Sequence, residues 1–215
     1  TRVFGHRPGE QTYAEAMVQT RDGGFLISGW WYMPYGQDST GEFLIRTSAT
    51  GDTLWTRPGP GPGGGPRDIK LTRDGGFIVM GYTMMDTMGH IYAARCDSLG
   101  NPLWLTYDHG IHGAWAYGVE QTSDDGFIIA GTTSNPGHGY WGYLLKLDSL
   151  GDTLWRRPLH IGENCYPHEV LVLPDGIWGD GAKGRAHIRG RVSLDAQDNT
   201  YFYSTRTGNR AIVAD

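Results

Sequence analysis

The fold is decided by the stretch Gln19-Thr-Arg-Asp-Gly-Gly-Phe-Leu-Ile-Ser-Gly29, because the sequence contains it three times. It recurs as Lys70-Leu-Thr-Arg-Asp-Gly-Gly-Phe-Ile-Val-Met-Gly81 and as Gln121-Thr-Ser-Asp-Asp-Gly-Phe-Ile-Ile-Ala-Gly131. The glycine before the phenylalanine is Gly24, then Gly76, then Gly126, so the steps are 52 and 50 residues. Self-similarity at this period indicates a repeat architecture.

A second phrase follows the first in every copy. It is Ser48-Ala-Thr-Gly-Asp-Thr-Leu-Trp55, then Asp97-Ser-Leu-Gly-Asn-Pro-Leu-Trp104, then Asp148-Ser-Leu-Gly-Asp-Thr-Leu-Trp155. The two phrases predict four short strands per unit. The Asp-Gly turn joins strands one and two, because glycine accepts a positive φ. In the second phrase the aspartate side chain can bond backbone amides and the glycine can be left-handed.

The second strand of each unit is a continuous apolar run, such as Phe77-Ile-Val-Met80. Because this run does not alternate, we expect protein on both faces of the strand. Four antiparallel strands covered in this way are typical of a propeller blade. A two-sheet sandwich would give alternating strands without a fifty-residue period. We expect Trp55, Trp104 and Trp155 to pack between blades.

The sequence therefore predicts an all-β fold, a single β-propeller domain over residues 1–215 with four blades of about fifty residues. The blades are approximately 6–57, 58–107, 108–157, and 158–215 together with 1–5. Thr1–Gly5 aligns with the end of a fourth strand, so we expect this N-terminal strand to close the last blade. Pro167–Gly176 reads as that blade's first strand and turn, with further strands at Ala186–Leu194 and Thr200–Thr205. A fragment of a larger propeller is the alternative.

Composition excludes some partners. The net charge of −5, without a cluster of Lys or Arg, argues against nucleic acid. There is no apolar stretch near 18 residues, so we expect no membrane span. The only cysteines are Cys96 and Cys165. A disulfide between them is the alternative, but we expect two free thiols.

The long and dissimilar segments all fall on one face of the predicted propeller. They are 5–13, 30–42, 57–67, 82–90, 107–116, 132–141 and 158–167. Binding residues concentrate on loops of this kind, so this long-loop face is the candidate site. Exposed aromatic rings beside polar groups suit a sugar. The candidate ligand-binding residues are Trp31, Tyr35, His112, Trp115, Tyr140 and Trp141. Trp30, at a strand end, is expected to cap the interior of the first blade.

Catalytic candidates are fewer. A glycosidase would need two carboxylates about 5–10 Å apart, for which Glu10, Asp108 and Glu163 are available. A lyase could use a His and a Tyr, for example His109 with Tyr117. His109 and His112 form the only tight histidine pair, but a metal site needs a third ligand, so we expect no metal. No motif of a phosphate-binding loop, a serine nucleophile elbow or a zinc helix is present, and we expect no cofactor.

The two phrases together resemble the repeats of large secreted bacterial β-propeller proteins, which often carry a C-terminal sorting domain for type IX secretion. The resemblance covers residues 1 to about 176 and weakens over 177–215. It implies the propeller fold and an extracellular location. It implies no reaction, because propellers serve as binding modules, hydrolases and lyases alike.

These observations predict a secreted module that binds carbohydrate or polysaccharide on its long-loop face. A polysaccharide-acting enzyme, either a glycoside hydrolase or a lyase, is the alternative on the same face, and a structural or adhesive repeat protein is the third possibility. We expect His109, His112, Trp115 and Glu163 to lie near one depression.

Overall fold

A computed structural model describes most of the chain. The described residues are 11–33, 40–84, 89–108, 113–135, 139–159, 165–173, 176–183, 190–194, 200–204 and 210–213. From residue 165 onward the description is of the backbone. The predicted N-terminal strand Thr1–Gly5 lies outside these residues.

The described chain consists of β-strands, and each of the first three repeats forms a four-stranded antiparallel sheet. The strands of the first sheet are β1 (Gln11–Gln19), β2 (Phe25–Tyr32), β3 (Thr40–Thr47) and β4 (Thr53–Pro58). Those of the second are β5 (Pro66–Leu71), β6 (Phe77–Met84), β7 (Gly89–Cys96) and β8 (Pro102–Asp108). Those of the third are β9 (Ala114–Gln121), β10 (Phe127–Asn135), β11 (Gly139–Leu147) and β12 (Thr153–Leu159). In each sheet the strands lie in sequence order, which confirms the all-β prediction for these repeats.

The fourth repeat differs from the prediction of a further four-stranded blade. A hairpin joins β13 (Cys165–Leu173) to β14 (Gly176–Lys183), as the Pro167–Gly176 segment predicted. A separate three-stranded sheet contains β15 (Gly190–Leu194), β16 (Thr200–Ser204) and β17 (Arg210–Val213). The physical reason is local, because neither repeat phrase is present after residue 176 to set the turns.

The chain divides into two compact units. The first comprises Thr1–Thr87 and Ile91–Tyr107, and the second comprises Met88–His90 and Asp108–Asp215. In the first unit, β5 packs against β1 and β2. In the second unit, β13 packs in the same way against β9 and β10. The single-domain interpretation of residues 1–215 stays a prediction.

The core of the first unit lies between its two sheets. Leu26 and Leu44 from one sheet meet Ile69, Phe77 and Val79 from the other, and all five are buried. Trp55 packs against this core. A Cβ on Gly100, in the β7–β8 turn, would lie 3.0 Å from the Trp55 ring. Trp55 therefore packs between sheets, as its repetition predicted.

In each of the first three repeats, a largely buried cation ties the first turn to the third strand. Arg46 bonds Asp22 (2.5 Å), Arg95 bonds Asp74, and Lys146 bonds Asp124 (2.9 Å). The threonine two residues before each aspartate, namely Thr20, Thr72 or Thr122, donates to the same carboxylate. The cation also donates to a strand carbonyl, that of Thr47, Cys96 or Leu147.

The pKa of the turn aspartate follows from these bonds. Hydrogen bonds from Thr20 and Arg46 lower the pKa of Asp22 to about 2. For Asp124 burial acts in the opposite direction, yet the bonds from Thr122 and Lys146 still lower its pKa to about 2. The carboxylate is therefore charged at neutral pH, which the nearby buried cation requires.

The two positions after the turn aspartate favour glycine for different reasons. The first has a positive φ, +83° at Gly23 and +91° at Gly75, and the third repeat holds Asp125 there at +64°. The second has no such φ, but a Cβ on Gly76 would overlap the Cys96 carbonyl oxygen and the Arg95 guanidinium. The sequence predicted the role of φ but not this steric requirement.

The turns that join the third and fourth strands of these repeats have the predicted geometry. The Asp97 carboxylate accepts from the Leu99 and Asn101 amides at 2.9 and 2.8 Å, and Asp148 does the same for Leu150 and Asp152. The following glycines Gly51, Gly100 and Gly151 are left-handed.

The outermost strands carry bulges. Leu54 in β4 and Leu154 in β12 are passed over in the pairing with their neighbouring strands. Both leucines are exposed at the surface. A bulge on an edge strand discourages pairing with another chain, because it interrupts the row of backbone groups.

We expect Gly76→Ala to destabilise the protein more than Gly75→Asp. The alanine methyl must displace Arg95 and a strand carbonyl, a cost of about 1–3 kcal/mol for overpacking. Aspartate at 75 has open space around its Cβ, and Asp125 already holds the equivalent conformation. Urea unfolding followed by tryptophan fluorescence measures both, and equal losses would contradict the steric explanation.

Candidate functional site

The structure brings together two of the predicted ligand-binding residues, Trp115 and Tyr140. Their ring centroids are 5.5 Å apart with an interplanar angle of 74°, an edge-to-face contact in the second unit. Both side chains are half-buried. Trp115 is the second residue of β9 and Tyr140 the second of β11, so both lie toward the long-loop end of this sheet.

Two glycines border the Trp115 ring. A Cβ on Gly89 would lie 3.3 Å from the ring, and one on Gly113 would lie 3.5 Å from it. The same Cβ on Gly113 would lie 2.6 Å from the Ser134 hydroxyl oxygen. The absence of a side chain at 113 therefore keeps a gap between the Ser134 hydroxyl and the indole.

Of the other predicted ligand-binding residues, the structure describes Trp31 and Trp141. Trp31 is half-buried and covers Gly41, where a Cβ would lie 2.6 Å from the indole. Trp141 is half-buried next to Tyr140 in β11. Tyr35 and His112 lie outside the described residues, and so do Glu10, His109 and Glu163. The depression predicted from His109, His112, Trp115 and Glu163, and the histidine pair considered for a metal, therefore stay predictions.

Asp108 is described, and its side chain is 1% exposed. It accepts from Tyr143 Oη and from Arg156 Nε at 2.6 Å. Burial, followed by the bond to Asp108, raises the pKa of Tyr143 well above its usual value. This environment gives Asp108 a structural function, and its candidacy as a catalytic carboxylate stays a prediction.

A second buried tyrosine–carboxylate pair lies in the first unit. Tyr92 donates to Glu42 at 2.7 Å, and the amides of Gly61 and Gly65 donate to the same carboxylate at 3.0 and 3.1 Å. Burial raises the pKa of Glu42, while the three hydrogen bonds act in the opposite direction. The Gly-Pro segment 58–66 is therefore an ordered cover over Glu42. Tyr92 and Tyr143 both precede the buried cation by three residues, and Phe43 holds that position in the first repeat.

The first unit also contains an aromatic and ionic cluster that sequence reasoning missed. The Tyr13 and Trp30 rings stack with centroids 4.6 Å apart and planes within 16°. Trp30 Nε1 donates to Glu15 Oε1 at 2.8 Å, and Arg67 bonds Glu15 Oε2 at 3.2 Å. The Arg67 guanidinium lies over the Tyr82 ring, 5.0 Å from its centroid. Trp30 was expected to cap the interior of its blade, but it stacks on a tyrosine that is 43% exposed.

A β-bulge explains why Glu15 and Arg67 meet. The pairing of β1 with β2 passes over Glu15, and that of β5 with β6 passes over Arg67. The same irregularity falls at Tyr117 in β9 and at His168 in β13. The bulge is at one repeat position, seven residues before the turn aspartate (15 to 22, 67 to 74, 117 to 124). Bulges redirect side chains and are common beside functional sites. Aligning the repeats would have revealed that this position carries Glu, Arg, Tyr and His in successive repeats.

A cleft of about 220 Å³ lies at the short-turn end of the first unit. Buried Leu26 and Phe77 contribute to its lining, as do Asp22 and Arg46 of the cation network. Arg21 crosses between the two turns and donates to the Arg73 carbonyl at 2.8 Å. The cleft is a seam between two packed sheets, at the opposite end from the long loops.

Across the described ranges, no helix is long and apolar enough to cross a membrane. In the same part of the chain, no group of three or more His, Cys, Asp and Glu residues is arranged to hold a metal ion. Cys96 is a buried free thiol, and burial raises its pKa to about 12.

Comparison with known proteins gives a fold likeness. No family model matches the sequence, and no curated protein matches it. The chain is similar to the crystal structure of a protein of unknown function from Bacteroides caccae, with 15% identity and a TM-score of 0.52 over 97% of this chain. It spans 63% of the length of that protein. A hypothetical protein from Leishmania major has 14% identity and a TM-score of 0.34, over 97% of this chain and 90% of that one. The likeness to the first concerns the all-β fold.

We expect Tyr92→Phe to destabilise the protein more at pH 7 than near pH 4.5. The change removes a donor to Glu42, so the folded-state pKa of Glu42 rises further above its unfolded value. A raised carboxyl pKa makes the folded state bind more protons than the unfolded state. Stability therefore falls as the pH rises from the unfolded-state pKa of Glu42 through its folded-state pKa. The loss at pH 7 should be about 1–3 kcal/mol, typical of a lost bond to a charged group.

Urea unfolding at the two pH values checks this expectation. Phenylalanine fits at position 92 by analogy with Phe43, so a loss of side-chain volume would not explain the destabilisation. Tyr92→Phe combined with Glu42→Gln is the control, since its stability should depend less on pH. An equal loss at both pH values would contradict the assignment.

Proposed function

We propose that this chain is a secreted β-propeller module that binds carbohydrate through Trp115 and Tyr140. Support for the propeller comes from the strand order, which is the same in three successive four-stranded sheets. Further support comes from the two units separately, since in each the first strand of one sheet packs on the first two strands of the preceding sheet. The extracellular location rests on the resemblance of the repeat phrases.

The observation that carries the carbohydrate assignment is the edge-to-face contact of Trp115 with Tyr140. Two rings at 74° offer a sugar one flat surface and one edge, and the C–H face of a pyranose packs on such a surface. The polar partner is the Ser134 hydroxyl, since a Cβ on Gly113 would lie 2.6 Å from that hydroxyl and 3.5 Å from the indole. An apolar surface with a few fixed polar groups is the usual composition of a ligand site.

A polysaccharide lyase is the second candidate, and one observation favours it. The bulges of β9 and β13 place Tyr117 and position 168, a histidine, at equivalent points of two strands that pack together. Tyrosine and histidine can serve as base and acid in β-elimination from a uronate. The base removes the C5 proton, the C4–O bond breaks, the acid protonates the leaving oxygen, and a C4–C5 double bond remains.

We expect Trp115→Ala to weaken polysaccharide binding by about 1–3 kcal/mol, because a packed aromatic contact is lost while the fold remains. Affinity electrophoresis in gels containing mannan, xylan, pectin or alginate measures the effect. Leu154→Ala is the control, since Leu154 lies in the same sheet and is exposed on the outer strand. Unchanged retardation of Trp115→Ala would overturn this site.

If the lyase candidate is right, incubation with pectin or alginate should produce an unsaturated uronate that absorbs in the ultraviolet. Tyr117→Phe and His168→Ala should each abolish this product while binding to the gels persists. Retention of product formation by both variants, or reducing ends without the unsaturated chromophore, would exclude elimination by this pair.

A further inference from the structure

The cluster of Tyr13, Glu15, Trp30, Arg67 and Tyr82 in the first unit has the properties of a binding surface. We call it the Tyr13 platform. One face of the Tyr13 ring is stacked on Trp30, so its exposed area lies on the opposite face and the ring edge. Its hydroxyl donates to Gln11 Oε1 at 2.8 Å, which fixes the ring orientation. A flat and oriented aromatic ring is therefore open to solvent.

A carboxylate and a guanidinium are held beside this ring. Glu15 uses one oxygen for Trp30 and the other for Arg67. Arg67 stacks on Tyr82 and bonds its hydroxyl at 3.4 Å. The side chains of Glu15 and Arg67 remain 26% and 37% exposed. Both groups can therefore meet a ligand while their aromatic partners hold their orientation, which lowers the entropic cost of binding.

The residues at the bulges, rather than the bulges themselves, make this arrangement specific to the first unit. Glu15 and Arg67 occupy the repeat position at which the backbone is irregular, and the neighbouring turns and apolar runs are nearly identical between repeats. Packing requirements shared by the repeats therefore do not account for this ion pair. The pair is a local feature of the surface.

We propose that the Tyr13 platform is a second binding site of this protein and that it takes a neutral pyranose. The sugar packs its C–H face on the Tyr13 ring. One of two adjacent hydroxyl groups donates to Glu15, and the other accepts from Arg67. The opposite charges of the pair offset each other, so a uronate gains from Arg67 and is repelled by Glu15. This site lies in a different unit from Trp115 and does not depend on it.

Titration with matched oligosaccharides tests the proposal. Two matched pairs of probes are used: mannohexaose with hexamannuronate, and a cello-oligosaccharide with its glucuronate counterpart. Both pairs are titrated into Trp115→Ala protein, so that the other proposed site is removed. We expect at least one neutral oligosaccharide to bind more tightly than its uronate. Tyr13→Ala should weaken that binding by about tenfold, as the loss of a stacked ring implies. Met17→Ala, on the same strand and 62% exposed, is the control and should bind normally.

Glu15→Gln tests the charge argument separately. The glutamine oxygen can still accept from Trp30, but the negative charge is gone, so uronate affinity should rise relative to neutral affinity. A uronate that binds more tightly than its neutral counterpart in the Trp115→Ala protein would overturn the choice of ligand. If binding is intact in Tyr13→Ala, or if Trp115→Ala alone abolishes it, the Tyr13 platform is not a binding site and the Trp115 site stands. Binding lost in Tyr13→Ala but unaffected by Trp115→Ala would overturn the Trp115 site instead.

Discussion

Each of the first three repeats depends on a buried cation that reaches the aspartate of the first turn. Arg95 and Lys146 are almost fully buried, and a buried charge costs several kcal/mol unless it is paired and hydrogen-bonded. The turn carboxylate and a strand carbonyl meet that need. The cation can reach them only because a glycine such as Gly76 has no Cβ in its path. The turn phrase and the cation of the third strand therefore form one constraint, although about twenty residues separate them.

Much of the fold could be predicted because its determinants are local. The Asp-Gly and Ser-Leu-Gly turns specify their own geometry, and the apolar run between Phe77 and Met80 requires cover on both faces. The fourth repeat was predicted less well for the same reason. Its first hairpin, marked by Pro-Asp-Gly before Gly176, forms as expected, whereas the segments after it carry no turn phrase and form a separate three-stranded sheet.

The candidate site was harder to predict, because side chains from different strands create it. Trp115 and Tyr140 were chosen as aromatics in variable segments, and sheet pairing brings them together. Trp30 was assigned to the interior, because a strand end gives no indication that Tyr13 would stack on it. Asp108 was chosen as a carboxylate in a variable segment, and its position in the sequence does not indicate that it would bond Tyr143 and Arg156. None of these contacts has a signature in the spacing of residues.

The bulge separates the stabilising part of the repeat from its variable part. Toward the turn, each first strand leads into the cation network, where substitution is restricted by charge pairing and by space at glycine. Seven residues earlier, the bulged residue is outside the regular ladder, so its side chain can change without the loss of a cross-strand pair. Glu15, Arg67 and Tyr117 show three different outcomes at this position. A scaffold of this kind can acquire a new ligand by changing the bulged residue and the aromatic beside it, because neither belongs to the network that stabilises the sheet.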